Sequence, residues 1–327
     1  MNTVRWGLLS TANINRRVIP AIRSTARGQL VAVASRSLES ARAYAAKWEI
    51  PHAFGSYQAM LDSDKVDAVY VSLPNHLHAE WSIRALQAGK HVLCEKPLAL
   101  SLEDVGRMIA ASRAAGRVLA EAFMYRHHPQ TKLAGEWVRQ GRLGDVGLVR
   151  AVFNFTFQNR QNIRLVPEYG GGALWDVGVY PVSFAQFILG GSPEAVAGAQ
   201  VSGASGVDET FAGQLIFPAG RLAQIACSFR SPWYTAAEVL GTHGRLSLNR
   251  PFVRLDQGRQ MIFTPNDGAP VELAVPEQEL YLGEVEDMHA AILDGAPSYL
   301  SLEESRRHVR TVLALYESAR TGQVVNL

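Results

Sequence analysis

The chain has 327 residues, 47% hydrophobic and 19% charged, with a formal net charge of +2. That is too long for one ordinary core and about right for two domains, and the composition is that of an ordinary globular protein. So small a charge excess gives no electrostatic case for nucleic acid or an anionic membrane, and two distant cysteines, Cys94 and Cys227, exclude a disulfide framework.

The first third alternates short apolar runs with amphipathic segments. Strands are predicted at Val4–Leu9, Leu30–Ala34, Ala68–Leu73, His91–Cys94 and Val118–Ala122. Helices are predicted at Asn13–Arg27, from near Leu38, at His76–Ala88 and at Leu102–Ala115. Apolar runs too short for helices, separated by helices, mean βαβ units and a parallel sheet covered on both faces. The expected fold of residues 1–123 is therefore α/β, a doubly wound Rossmann domain.

After Phe123 the pattern changes. A helix over Gln130–Gln140 precedes longer strands at Leu148–Phe157, Ala195–Val201, Glu209–Phe217, Arg221–Ser228, Ala236–Gly241 and Arg245–Leu248. Turn residues at Pro218-Ala219-Gly220 and Thr242-His243-Gly244 mark hairpins. Residues 124–327 are thus expected to form an α+β domain with a large open, mostly antiparallel sheet. Helices at Ala173–Leu189, Gly283–Leu293 and Leu302–Arg320 would cover one face of it. An uncovered apolar face predicts a homo-oligomer, dimer or tetramer, built through that sheet.

The N-terminal segment lacks a basic region followed by a long apolar one, and no apolar stretch has the length of a membrane span, so a cytoplasmic protein is expected. No His/Cys cluster has metal-ligand spacing; the adjacent pair His127-His128 suits one ion poorly, and no metal is expected.

Between the first strand and helix, where a Rossmann glycine-rich turn belongs, the three glycine positions hold Ser10, Ala12 and Asn15. The residues are small enough for a pyrophosphate to approach the backbone of Ser10, Thr11, Ala12, Asn13 and Ile14, at the positive end of the helix dipole. An ordinary βα turn would read similarly. About 20 residues on, where a carboxylate reads a free ribose 2′-hydroxyl, stand Ser35 and Arg36. Arg36 can pair with a 2′-phosphate instead, so NADP is expected over NAD; the alternative is a plain surface arginine.

Leu73-Pro74-Asn75-His76 and Glu95-Lys96-Pro97 end two more strands, where ligands of open α/β sheets bind. His76 and His78 are candidates to touch the cofactor, and Glu121 to line the cleft. Pro97 biases Lys96 towards an extended conformation aimed into the crevice.

The segments Pro74-Asn75-His76-Leu77-His78, Glu95-Lys96-Pro97-Leu98-Ala99, Glu121 to Pro129 and Gly170 to Tyr180, in that order and spacing, resemble the Gfo/Idh/MocA oxidoreductases. That family comprises glucose–fructose oxidoreductase, inositol dehydrogenase and their relatives, and the likeness spans most of the chain. It implies a nicotinamide cofactor, a sugar or polyol substrate and a catalytic Lys96. Where many members carry histidine four residues after Asp176, this chain has Tyr180, as in the branch with dihydrodiol dehydrogenase, xylose dehydrogenases and nucleotide-sugar 3-ketoreductases. Free tyrosine ionises near pH 10, and a lysine cation favours the phenolate. Tyr180 is then the expected acid/base, Lys96 its electrostatic partner, and Asp176 an orienting group on the same helix face, with a kink at Pro181. Arg164 is a candidate phosphate or substrate clamp, or half of a surface salt bridge; Arg160 and Arg230 are further candidates for a diphosphate. Tyr125, Phe155, Trp175 and Trp233 are candidates for a sugar-stacking floor, or core residues.

Overall fold

In the computed structural model, which describes residues 2–156, 159, 161–253 and 259–327, the alternating pattern of the first third becomes a six-stranded parallel sheet. Its elements are β1 (Val4–Leu9), α1 (Asn15–Ser24), β2 (Gly28–Ala34), α2 (Leu38–Trp48), β3 (His52–Phe54), α3 (Tyr57–Leu61), β4 (Ala68–Val71), α4 (His78–Gln87), β5 (His91–Glu95), α5 (Leu102–Ala115) and β6 (Leu119–Ala122). The spatial order β3-β2-β1-β4-β5-β6 reverses direction between β1 and β4, the switch point at which such sheets open a ligand crevice. β4 is buried at every residue, as a strand covered on both faces must be. The three-residue β3 and five-residue α3 escaped the sequence reading because neither is long enough to show a period.

The following elements are α6 (Pro129–Arg139), β7 (Val146–Asn154), α7 (Val179–Leu189), β8 (Ala195–Ser202), β9 (Asp208–Phe217), β10 (Arg221–Ser228), β11 (Tyr234–Gly241), β12 (Gly244–Asn249), β13 (Met261–Pro265), β14 (Val271–Leu273), α8 (Leu282–Leu293), α9 (Leu302–Thr321) and β15 (Val325–Asn326). Among the described residues nine strands form one sheet in the order β14-β13-β12-β11-β7-β10-β9-β8-β15. Its pairs are antiparallel except β7 with β10, which run parallel. β13, β14 and β15 were not foreseen: at five, three and two residues they are too short to show a strand period. The predicted end of β7 at Phe157 lies outside the described residues.

The chain divides into two compact units, Met1–His127 with Tyr281–Ser305, and His128–Leu280 with Arg306–Leu327. The first unit thus runs a few residues past the expected boundary at 123/124, and the chain returns to it over Tyr281–Ser305. The helix read as Gly283–Leu293, expected to cover the large sheet, belongs to the first unit instead. There His289 Nε2 accepts a hydrogen bond from Trp6 Nε1 at 2.9 Å, and Gly28 leaves room for its ring, since a Cβ there would lie 2.8 Å from His289 Cε1. Local periodicity reports that a helix is amphipathic but not which surface receives it.

In the second unit α7 and α9 lie on one face of the large sheet. Gly198 and Gly213 admit α9 closely: a Cβ on either would come within 2.8 Å of Leu315. The other face is ordered by register into rows. Leu240, Leu148, Leu222 and Ile216 form an apolar row across four strands; Glu238, Arg150, Gln224 and Gln214 form a polar one; Ala236, Val152, Ala226 and Ala212 form a second apolar one.

Candidate functional site

The carboxyl ends of the parallel strands lie level. Leu9 is in register with Ala34, Leu8 with Tyr70, Val71 with Cys94, and Glu95 with Ala122. The loop leaving β1 therefore emerges beside Ser35 and Arg36, which leave β2. Within it, Ser10 turns inward. Its hydroxyl lies 2.8 Å from that of Ser72 and accepts from the Ala12 amide at 3.0 Å, while Asn15 Nδ2 donates to the Ser10 carbonyl at 2.8 Å. Ser72 donates in turn to Asn15 Oδ1 at 2.7 Å. This buried triangle holds the loop by side-chain bonds, so the turn forms without the usual glycines. Thr11, Ala12, Asn13 and Ile14 stay partly or fully exposed at the start of α1, which no side chain caps. Arg36 is exposed, and Ser35 continues β2 through a bond from its amide to Phe54.

At the end of β4, Pro74 precedes a 3₁₀ turn, Asn75–Leu77, whose His76 is exposed. His78, a candidate for cofactor contact or a first-turn solvent position, is fully buried, with Nδ1 2.8 Å from the Pro97 carbonyl and Nε2 2.8 Å from the Leu73 carbonyl. Burial lowers its pKa, opposed by the two carbonyls. The ring is thus a pin between the ends of β4 and β5, and its nitrogens face backbone. On the other side of the Glu95-Lys96-Pro97 corner, Glu121 Oε1 accepts from the Leu98 amide at 2.8 Å, and Glu95 accepts from the Tyr70 hydroxyl and, at 3.2 Å, from the Lys96 amide. The Lys96–Pro97 peptide is cis. Lys96 is half-buried, and His78, Glu95 and Glu121 hold the backbone around it.

In the second unit, Asp176 and Tyr180 stand on consecutive turns, but the run is not a plain α-helix. Leu174–Gly178 form a π turn that leads into α7. The expected kink at Pro181 takes this form: proline lacks the N–H that would continue the α ladder, and the preceding turn widens to i→i+5 bonding. Arg164 Nε donates to Asp176 Oδ2 at 2.6 Å, so of the two readings of Arg164 the geometry gives the ion pair. Arg230 likewise faces the buried Glu209, 3.8 Å away. Arg160 lies outside the described residues. The Tyr180 ring is buried against Phe153 and Phe252, centroids 5.4 and 5.7 Å away.

Of the aromatic candidates, Tyr125 is fully buried against Phe123 in the first unit, and Trp175 packs on Tyr316 in the second. Both are core rather than an open stacking floor. Phe155 bridges Phe153 and Phe229. Trp233 is 46% exposed beneath the Arg250 guanidinium.

The family model of oxidoreductases with an NAD-binding Rossmann fold, GFO_IDH_MocA, matches residues 4–123, and that of the GFO/IDH/MocA C-terminal domain matches residues 131–247. The chain belongs to the Gfo/Idh/MocA oxidoreductases. Within this family it is 38% identical to an NADP(+) D-xylose 1-dehydrogenase of Haloferax volcanii, over 98% of this chain and 99% of the relative. A 3-ketoreductase from Actinomadura kijaniata, solved with NADP and TDP-benzene, superposes with a TM-score of 0.91 at 32% identity, over 97% of this chain and 98% of that one. It has also been solved with one lysine changed to alanine or glutamate and with one tyrosine changed to phenylalanine. The aldose-aldose oxidoreductase of Caulobacter crescentus gives a TM-score of 0.92 at 28% identity, over 99% of this chain and 100% of that one.

Four residues escaped the sequence reading of this Gfo/Idh/MocA oxidoreductase: Ser72, Tyr70, Asp208 and Tyr316. Asp208 alone left a trace, an acidic pair with Glu209 at the head of an apolar strand. Among the described residues no helix is long and apolar enough to cross a membrane.

Proposed function

We propose that this oxidoreductase moves a hydride between NADP and the carbinol or carbonyl carbon of a sugar, with a free pyranose such as xylose as its substrate class. The observation that carries the reading is Lys96, held at a parallel-strand end by a backbone that His78, Glu95 and Glu121 grip. Strand ends are where such folds place ligands, and a lysine on a fixed backbone can be aimed at a substrate oxygen.

The cofactor supplies the hydride acceptor; the chain's own residues bind it, place the carbinol and move one proton. Ser10 to Ile14 fit the pyrophosphate, since small residues precede a helix start that no side chain caps. Leu73, Pro74, Asn75, His76, Glu95, Lys96 and Pro97 form the neighbouring strand ends. Arg36, exposed beside that loop, fits a 2′-phosphate, and NADP is accordingly the preferred form; the Haloferax relative is an NADP(+) enzyme and the Actinomadura relative was solved with NADP bound. In oxidation, Tyr180 takes the hydroxyl proton, Lys96 donates a hydrogen bond to the same oxygen, and Asp176, steadied by Arg164, orients the sugar. The lysine and tyrosine altered in the Actinomadura enzyme carry numbers six above Lys96 and Tyr180, which supports the pairing.

A free sugar is favoured over a nucleotide-linked one because Arg164 and Arg230 already face carboxylates, Asp176 and Glu209. A diphosphate would have to compete for both. The second reading, a 3-ketoreductase of nucleotide sugars, keeps its support from the Actinomadura relative. A trans-dihydrodiol dehydrogenase is a third, and a sensor that binds NADP without turnover is disfavoured by the presence of both Lys96 and Tyr180.

The deciding experiment follows absorbance at 340 nm with NADP+ or NAD+ against aldoses, inositols and dihydrodiols, and runs the reverse reaction on keto sugars. Turnover of a free pyranose with NADP+ is expected. Activity confined to nucleotide-linked keto sugars would replace this reading with the second, and cofactor binding without any turnover would favour the sensor.

A further inference from the structure

The glycine run 170–172 and the π turn after it meet a carboxylate from another element. Asp208, at the head of β9, is 2% exposed. Its Oδ2 accepts from the Leu174 amide at 2.7 Å, and its Oδ1 from the Tyr316 hydroxyl, on α9, at 2.7 Å. The space is closed: Gly172 has φ +124°, and a Cβ there would lie 2.1 Å from Asp208 Oδ1 and 2.9 Å from Tyr316 Oη. Gly172 is thus glycine for two reasons, its backbone conformation and the carboxylate seated where a side chain would be. Behind it, the Gly172 amide bonds the Arg164 carbonyl at 2.9 Å, and the Asp176 amide bonds the Gly172 carbonyl at 3.0 Å. Beneath, Gly178 lets the turn settle on β10, since a Cβ would come 2.8 Å from Cys227 Sγ.

We propose that Asp208 is a positioning residue for the reaction: it clamps the first turn of the helical run that presents Asp176 and Tyr180, and so sets where the Tyr180 hydroxyl stands. This rests on the acid–base reading of Tyr180. The first amides of a helical run have no partner within it, and a π turn is a rare, widened stretch found mostly at functional sites. Asp208 supplies a charge-assisted bond at its open amide end, and Tyr316 fixes the carboxylate to α9. The groups facing Asp208 are the Tyr316 hydroxyl from α9, the Cys227 thiol from β10 and the amides of Ala173 and Leu174, with Asp176 farther along the same turn. Burial pushes the Asp208 carboxyl up to about 6, against the hydrogen bonds it accepts. Its charge therefore changes in a range where activity can be read, and the clamp grips as the proton leaves.

The test compares wild type with Asp208→Asn, Asp208→Ala, Tyr316→Phe and Tyr180→Phe, using NADP+ and the best aldose from the panel above. For each, kcat, KM, NADP+ affinity and the pH profile of kcat are measured. Asp208→Ala is expected to lower kcat about tenfold or more, with NADP+ affinity unchanged. Asp208→Asn, whose amide oxygen still accepts from Leu174, should recover part of the loss but lack the rise in kcat through pH about 6. If Asp208→Ala does not fold, the asparagine and Tyr316→Phe variants carry the comparison. Wild-type kcat and an unchanged pH profile in Asp208→Asn, beside an inactive Tyr180→Phe, would overturn the proposal. A fully active Tyr180→Phe would instead overturn the acid–base reading beneath it.

Discussion

Single residues carry most of the proposed chemistry, and two of them give sharp predictions. Tyr180→Phe removes the hydroxyl and leaves the ring packed on Phe153 and Phe252. It is expected to lower kcat by about 10²–10⁴-fold, the usual worth of a positioned acid/base, with little change in NADP+ binding by fluorescence titration. Equal rates from pH 6 to 10 would remove Tyr180 from the mechanism. Arg36→Ala should raise KM for NADP+ by about 10–100-fold, the worth of a charge-assisted bond to phosphate, while KM for NAD+ hardly moves. Parallel loss with both cofactors would show that Arg36 does not read the 2′-phosphate. Both are candidates the sequence offers because each follows a motif whose position in the fold is set locally: Arg36 after a strand that follows the first helix, Tyr180 after a run of three glycines. Asp208 was not legible. Its partners Leu174 and Tyr316 lie 34 and 108 residues away, and no local period records a bond of that span.

At the scale of elements, strand ends and helix starts are held in place by buried polar pins. His78 shows how the sequence misled: a histidine at the first turn of α4 looks like a solvent or cofactor contact. The helix is rotated so that His76 faces out and His78 faces in, across to Pro97 on the next strand end. His78→Ala is expected to destabilise the protein by about 2 kcal/mol or more, since a buried carbonyl left without its donor costs about 1–3 kcal/mol. It should also lower kcat by loosening the corner that carries Lys96. A thermal midpoint and a kcat both equal to wild type would refute the pin. The triangle Ser10–Ser72–Asn15 teaches the same lesson in reverse. The degenerate glycine pattern reads as weak, yet side chains just past β1 and β4 and at the start of α1 complete the loop that glycines would otherwise shape.

Two consequences belong to the whole molecule. His289 and His128 are held neutral by burial, their pKa values lowered to about 4 and about 3. As pH falls below the ordinary value of 6.5, the unfolded chain takes up protons that these two refuse in the fold, so stability is lost from about pH 6.5 downwards. Asp208 acts with the opposite sign, because its raised pKa makes the folded state the better proton acceptor between about 4 and 6. His91, also lowered to about 4 by burial, adds to them, so three histidines outweigh one carboxyl, and Tm by calorimetry should fall steadily as pH is lowered from 6.5 to 4; a flat profile would contradict the burial of these histidines. The second consequence concerns the sheet face opposite α7 and α9. Its two apolar rows flank the Arg150–Glu238 row, a pattern that suits a second copy of the same face, apolar rows buried and charges paired. Light scattering at micromolar concentration is expected to give a dimer or larger, and a monomer would count against it.

The residues by themselves determined the parallel domain, the sheet-rich domain after it and the place of the lysine, because strand and helix periods and the chemistry of strand ends are written within a few positions of each other. Tertiary structure alone decided that α8 returns to the first unit, that a π turn leads from Asp176 into α7, that His78 pins the strand ends beside Lys96, and that Asp208 holds the π turn. These are contacts between residues far apart in the chain, and only the packed fold brings their atoms within hydrogen-bond reach.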